Sequence, residues 1–205
     1  LSVDFSGKPN QSELIEEIAG KIMEGKIGII KGTGGFHLVG RADALGVVER
    51  IREIKKRKNK PLAVMMGRSE YLKLLGDISG SEQRRICGIS PVTILEKNPE
   101  FSIAENVAGH LSEIGYLLPY TGLHEISMQK INVPIVMTSA NISGDPIIYD
   151  EEILLRKFSG SVDFVLSHNR KIVNSVDDSV VRNAGNNFAV VRPGRGSYPQ
   201  SKKII

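Results

Sequence analysis

The chain has one cysteine, Cys87, among its 205 residues. That excludes a disulfide framework and a cysteine-based zinc site. It has no tryptophan and only 5% aromatic residues, too few for a dedicated surface that stacks single-stranded nucleic acid. The histidines His37, His110, His124 and His168 are scattered, and no two stand at the i, i+4 spacing of a helical metal-ligand pair. His37 alone stays open as a site residue. No apolar run approaches the roughly 18 residues of a membrane span, and the N-terminus shows no signal-peptide pattern. The expectation is a soluble, cytoplasmic protein with no membrane partner. No linker, repeat or composition break divides it, so residues 1–205 are expected to form one domain.

What is there is ordinary for a globular chain: 40% hydrophobic and 24% charged residues. A chain of this length can bury a core without disulfides. The net charge of +4 permits a nucleotide or RNA partner without requiring one.

Along the chain, short apolar strands alternate with amphipathic helices. Asn10 and Glu13 have capping-box spacing ahead of Leu14, Ile15, Ile18 and Ile22, which predicts a helix over residues 10–25. "KIGIIK" reads as a buried strand feeding the glycine-rich turn "GTGGFHL". A helix with Asp43 as its cap and Val47, Val48, Ile51 and Ile54 on one face comes next. "PLAVMM", "PVTILE", "GYLLP" and "PIVMTS" read as strands. Helices are expected near 70–75, 82–86, 103–114, 123–130 and 151–158. The end reads as strands "DFVLS", "KIVN", "SVVR" and "FAVVR". This is an α/β pattern with a twisted, mixed parallel and antiparallel sheet flanked by helices.

Four segments could carry chemistry. "KGTGGFHL" follows a strand, and its glycines would let backbone approach a ligand. It is neither a dinucleotide fingerprint nor a Walker A loop. "EIKKRKNKP" packs five cations into the six positions from Lys55 to Lys60. It reads either as a solvated helix end or as a polyphosphate clamp. "TSANISG", Thr138–Gly144, ends a strand in short hydroxyl and amide side chains, which suits a turn or a row of donors for an oxygen-rich ligand. "SVVRNAGNNFAVVRPGRG" ends in Arg192-Pro193-Gly194-Arg195, either a basic hairpin end or an anion contact.

These segments, in this order and spacing, resemble the YrdC/TsaC family. "IKKRKNKPLAVMM", "SPVTIL", "TSANISGDP", "DDSVV" and "VVRPG" match its Lys-x-Arg run, its Pro-x-Thr strand, its Ser-Ala-Asn loop, its Ser-Val-Val strand and its Arg-Pro-Gly end. One branch makes threonylcarbamoyladenylate from threonine, bicarbonate and ATP, for tRNA modification. The other is the YrdC-like domain of HypF, a carbamoyltransferase of hydrogenase maturation. "KGTGGFHL" and "GYLLPYTGLHEI" look like the HypF branch. Gly32 and Gly34 stand where the threonine branch has hydroxyl side chains. Chain length favours the free-standing synthase, since HypF carries further domains.

The resemblance implies a basic concave cavity and an enzyme that forms an acyl adenylate. The reading taken is threonylcarbamoyladenylate synthase. The alternatives are HypF-like carbamoyl-adenylate formation and a double-stranded RNA-binding module without catalysis. Lys55 and Arg57 are implied as catalytic cations, and Arg57, Lys60, Thr93, Ser139, Asn141 and Arg192 as ATP contacts. Thr33, His37 and Ser179 are implied as second-substrate contacts. No metal site is expected in the protein itself; Mg²⁺ would arrive on ATP. Implied partners are ATP, bicarbonate or carbamate, L-threonine, and tRNA or double-stranded RNA, with a monomer or weak dimer as the assembly.

Overall fold

The computed structural model describes residues 2–4, 10–76, 78–184 and 187–197. A ten-stranded mixed sheet forms its centre: β1 (Ser2–Asp4), β2 (Gly28–Lys31), β3 (Phe36–Arg41), β4 (Val64–Met65), β5 (Val92–Glu96), β6 (Glu113–Leu117), β7 (Ile135–Ser139), β8 (Phe164–Ser167), β9 (Val180–Ala184) and β10 (Asn187–Arg192). Their order across the sheet is β1-β8-β2-β3-β7-β4-β6-β5-β9-β10. The helices are α1 (Gln11–Met23), α2 (Leu45–Lys55), α3 (Arg68–Leu75), α4 (Gly80–Ile89), α5 (Gly122–Ile131) and α6 (Glu151–Phe158). Among the described residues no helix is long and apolar enough to cross a membrane.

Alternation along the strands decides which helices cover which face. On β3, Phe36 and Leu38 join a core with Ile51 of α2, Tyr71 of α3, Ile86 of α4 and Leu154 of α6. Val39 points the other way, into a second core with Leu14, Ile18 and Ile22 of α1 and Met128 and Ile131 of α5. His37 shares that second face, and so does Ser139, its partner across the β3–β7 pairing.

Helix α1 starts at the cap its sequence predicts, and α6 at one the sequence reading did not name. Asn10 caps α1 by accepting from the Glu13 amide, and Asp150 caps α6 by accepting from that of Ile153. Other expectations need correction. Asp43 does not cap α2; Ala44 takes that place, and the Asp43 carboxylate is held by Arg41 at 2.6 and 2.8 Å. Residues 103–114 are not a helix. Gly109 sits at φ +58, Arg52 and Leu62 take the carbonyls of Asn106 and Val107, and only a short 3₁₀ turn, Glu105–Val107, forms before β6. "KIVN" is loop rather than strand, and the glycine-rich turn leads straight into β3, which the sequence reading passed over.

Candidate active-site cavity

The site begins with side chains two apart on three strands. Met137 and Ser139 of β7, Val92 and Ile94 of β5, and Val180 and Arg182 of β9 line one cavity of about 550 Å³. Register brings them together: Val92 pairs with Val180, and Ile94 lies between Gly115 and Arg182. The cavity lining mixes the apolar Ile94, Leu111, Ile114 and Val180 with Arg57, Lys60, Ser139, Asn141 and Arg192, and Arg192 pairs with Val180 across β9 and β10. A hollow lined by apolar side chains, cations and short donors suits a ligand with both apolar and anionic parts.

The cavity is not uniformly basic. Arg57, Lys60, Arg182 and Arg192 line it together with Glu113, Asp145, Asp177 and Asp178. Partners decide which charges remain available. Glu113 holds Arg182 at 2.5 Å and Asp145 holds Lys157 at 3.2 Å. Asp177 stands a loose 4.0 Å from Arg192. Among the described residues no carboxylate pairs with Arg57 or Lys60. The Arg57 guanidinium donates to the carbonyls of Lys60 and Pro61. Burial, then the nearby charges of Arg52 and Arg192, lower its pKa. An anion entering here would relieve that repulsion.

Of the residues implied by the resemblance, Arg57, Lys60, His37, Ser139, Asn141 and Arg192 line the one cavity. Four do not. Lys55 is wholly buried behind the wall. Its ammonium donates to the carbonyl of Ser139, to the carbonyl of Asn141 at 3.1 Å and to Asn141 Oδ1 at 2.8 Å, while its own carbonyl accepts from the Ser143 amide. It therefore clamps the Ser139–Ser143 loop from behind. Burial, together with the charges of Arg57 and Lys60, lowers its pKa to about 7. The loop is also tied from within, since Ser139 Oγ donates to Asn141 Oδ1 at 2.7 Å and Asn141 Nδ2 donates to the Asp145 carbonyl. The "TSANISG" stretch is thus a held cavity wall, with Gly144 at φ +101 making its exit turn.

Thr93 is buried with its hydroxyl 2.6 Å from Tyr71 Oη. Ser179 is buried too. Its hydroxyl donates to the Arg195 carbonyl and accepts from the Gly194 amide, fastening β9 to the turn after β10. Thr33 is exposed and outside the cavity lining.

The glycine turn also differs from its sequence reading. What approaches its bare faces is protein. A Cβ on Gly32 would lie 2.8 Å from Tyr120 Oη, one on Gly34 would lie 2.4 Å from the Val176 carbonyl, and one on Gly35 would lie 2.4 Å from Ile147. Gly34 also accepts from the Val176 amide, so the turn seats the segment that brings Asp177 and Asp178 to the cavity.

Asp178 was missed by sequence reasoning, which took "DDSVV" for its serine and its strand. Asp178 lies 3.5 Å from His37 Nε2 and accepts from Arg195 Nε at 2.8 Å. Burial alone would raise its pKa, but His37 and Arg195 outweigh burial and hold it well below the usual carboxylate range. The adjacent acidic pair was visible in the sequence; its partners, 141 residues upstream and 17 downstream, were not. Among the described residues no three His, Cys, Asp or Glu are grouped to hold a metal ion.

Known proteins match this chain along most of its length. The Sua5/YciO/YrdC family model, described as "Telomere recombination", matches residues 21–194. A probable carbamoyltransferase HypF of Methanocaldococcus jannaschii is 34% identical over 196 residues, covering 95% of this chain and 25% of that protein. The carbamoyltransferase HypF of Synechocystis is 36% identical over 183 residues, covering 86% and 23%. The chain thus spans about a quarter of the length of these relatives. Full-length HypF, solved in a phosphate- and nucleotide-bound form, superposes with a TM-score of 0.83 at 39% identity, over 94% of this chain and 30% of that one. Sua5 of P. abyssi, solved with L-threonine, superposes with a TM-score of 0.80 over 95% of this chain and 57% of that one; at 22% identity it shows a shared fold. By the match over residues 21–194 and the superposition of its fold, this chain belongs to the Sua5/YciO/YrdC family.

Proposed function

We propose that this chain forms carbamoyl adenylate: carbamate and ATP give carbamoyl-AMP and pyrophosphate. The observation that carries the proposal is the convergence of Arg57, Lys60, Arg192, Ser139 and Asn141 on one cavity that apolar side chains also line. The apolar side chains of the lining take the nucleoside and its cations the phosphates. The carbamate oxygen attacks the α-phosphorus, the bond between the α- and β-phosphoryl groups breaks, and pyrophosphate leaves. Both reactants are anions, so the site's work is to offset their repulsion and hold them in line. Arg57 and Lys60, without carboxylate partners, do the first; the clamped Ser139–Asn141 wall does the second. Mg²⁺ enters on the triphosphate and shares its charge.

Carbamate rather than a threonine-derived carbamate is favoured by the glycine turn. Gly32 and Gly34 carry no hydroxyl there, their faces are packed against Tyr120 and Val176, and Thr33 lies outside the cavity lining. The relatives at 34 and 36% identity, named carbamoyltransferases, support the same choice. The test is mass spectrometry of the nucleotide product. Incubation with ATP and ammonium carbamate is expected to give carbamoyl-AMP. A product that forms only with threonine and bicarbonate, and carries threonine, overturns the reading in favour of the synthase.

A further inference from the structure

Lys55 closes α2 with its side chain wholly buried, and among the described residues no carboxylate pairs with it. A lysine ammonium has three N–H donors and no acceptor. Here each donor has an oxygen: the carbonyl of Ser139, the carbonyl of Asn141 at 3.1 Å and Asn141 Oδ1 at 2.8 Å. A neutral amine has two N–H groups and a lone pair, so one of the three oxygens would lose its partner and face that lone pair. The hold on the wall therefore depends on the charge. The two residues held are the two that line the cavity with Arg57 and Lys60.

In the free protein the surroundings oppose that charge. Burial acts first, then the charge of Arg57; Asp177 favours the ammonium and Lys60 opposes it again, and the balance lowers the pKa to about 7. Arg52 and Arg192 bear on Arg57 rather than on Lys55. On the loop itself the titratable group is Asp145, held by Lys157 at 3.2 Å. Across the β3–β7 pairing His37 stands opposite Ser139, 3.5 Å from Asp178. Arg57 and Lys60, the two cations that oppose Lys55, are also the two without carboxylate partners. An anion bound between them offsets the repulsion that Lys55 feels.

We propose that Lys55 is a positioning residue of the nucleotide site that works only as the ammonium, so that ATP binding takes up a proton at Lys55. The inference rests on the ATP-binding part of the reading above. Linkage makes the effect reciprocal: ATP raises the proton affinity of Lys55, and the proton, by fastening Ser139 and Asn141, raises the affinity for ATP. Above the free chain's midpoint the proton must be regained for binding. Affinity then falls with rising pH, by up to about tenfold per pH unit for one proton per ligand.

Calorimetric titration with ATP and Mg²⁺ at pH 8, in HEPES and in Tris, counts the protons, because the two buffers differ in ionisation enthalpy. That pH lies well above the phosphate ionisation at about 6, so the nucleotide itself contributes little. The wild type is expected to take up most of one proton per ATP, and Lys55→Met none. From pH 7 to 9 the wild-type affinity is expected to fall toward that of Lys55→Met, whose weaker affinity stays level. A lysine that merely supports the wall would make binding weaker by the same factor at every pH and take up no proton, which overturns the proposal. Uptake that persists in Lys55→Met also overturns it, since the proton then goes to another group such as His37. Should Lys55→Met not fold, the lysine Cε resonances of the wild type decide: a signal with its midpoint near 7 in the free chain is expected to move to higher pH with ATP. The absence of such a signal, or a midpoint that ATP leaves in place, overturns the proposal. Carbamoyl-AMP formation without proton uptake on ATP binding overturns the proposal alone; a wild-type chain that binds no ATP overturns the proposed function with it.

Discussion

Lys55 and Arg57 stand two residues apart at the end of α2, yet their charges do different jobs. The helix ends at Lys56 in the left-handed region, and that turn sends Lys55 into the interior and Arg57 into the cavity. The placement makes separable predictions. Arg57→Ala removes a cation with no carboxylate partner, so the fold is expected to survive. Hydrogen bonds to a charged group are worth about 1.5–3 kcal/mol each, so nucleotide affinity should fall roughly ten- to a hundredfold; calorimetric titration with ATP measures it. Lys55 predicts a pH dependence of stability. Its pKa is lowered from 10.5 to about 7 in the folded chain. Below pH 7 it is charged in both states. From about 7 to 10.5 the unfolded chain binds the extra proton, so rising pH stabilises the native state. The stability of the wild type relative to Lys55→Met should therefore climb across that window, as denaturant melts at stepped pH would record. A flat difference would mean that the three acceptors around the ammonium hold its pKa near the ordinary value.

At the scale of elements, the glycine turn between β2 and β3 acts as a packing joint. Gly34→Ala would drive a Cβ to 2.4 Å from the Val176 carbonyl, a backbone atom that cannot swing aside. The cost of such overpacking is about 1–3 kcal/mol, and the strain falls on the segment leading to Asp177 and Asp178. Thermal melts should show the loss, and ATP affinity should fall with it. The same turn shows what the sequence could and could not tell. Its glycines announced a close approach, but not by what, because Val176 and Ile147 come from segments more than a hundred residues away. Helix α1 was legible because its signal is local: a capping side chain followed by apolar residues at helical spacing. Strand β3 was not, since Phe36–Val39 is buried on both faces and shows no alternation. The same limit governs the site. The lining positions Arg57, Lys60, Ser139, Asn141 and Arg192 sat in recognisable motifs. The inward turn of Lys55 and the burial of Thr93 and Ser179 depend on tertiary partners that no motif displays.

On the scale of the whole molecule, the cavity joins parts of the chain that are far apart. Arg57 and Lys60 follow α2, Ser139 and Asn141 end β7, and Arg192 closes β10 near the far edge of the sheet. The β9–β10 hairpin is fastened to the rest by Arg195, which donates to the carbonyls of Ile89 and Ser90, and by the pairing of β9 with β5. A ligand gripped by Arg57 and Arg192 together would tie that hairpin to the centre of the molecule. Binding that requires the native arrangement stabilises it by about 2.7 kcal/mol at a hundredfold excess over Kd. ATP should therefore raise the melting temperature of the wild type by several degrees. Arg57→Ala and Arg192→Ala, 135 positions apart in sequence, should each abolish most of that rise while leaving the melting temperature without ATP nearly unchanged. A variant of Arg192 that keeps the full ATP-dependent rise would remove the hairpin from the nucleotide site and leave its cation to the Asp177 pair alone.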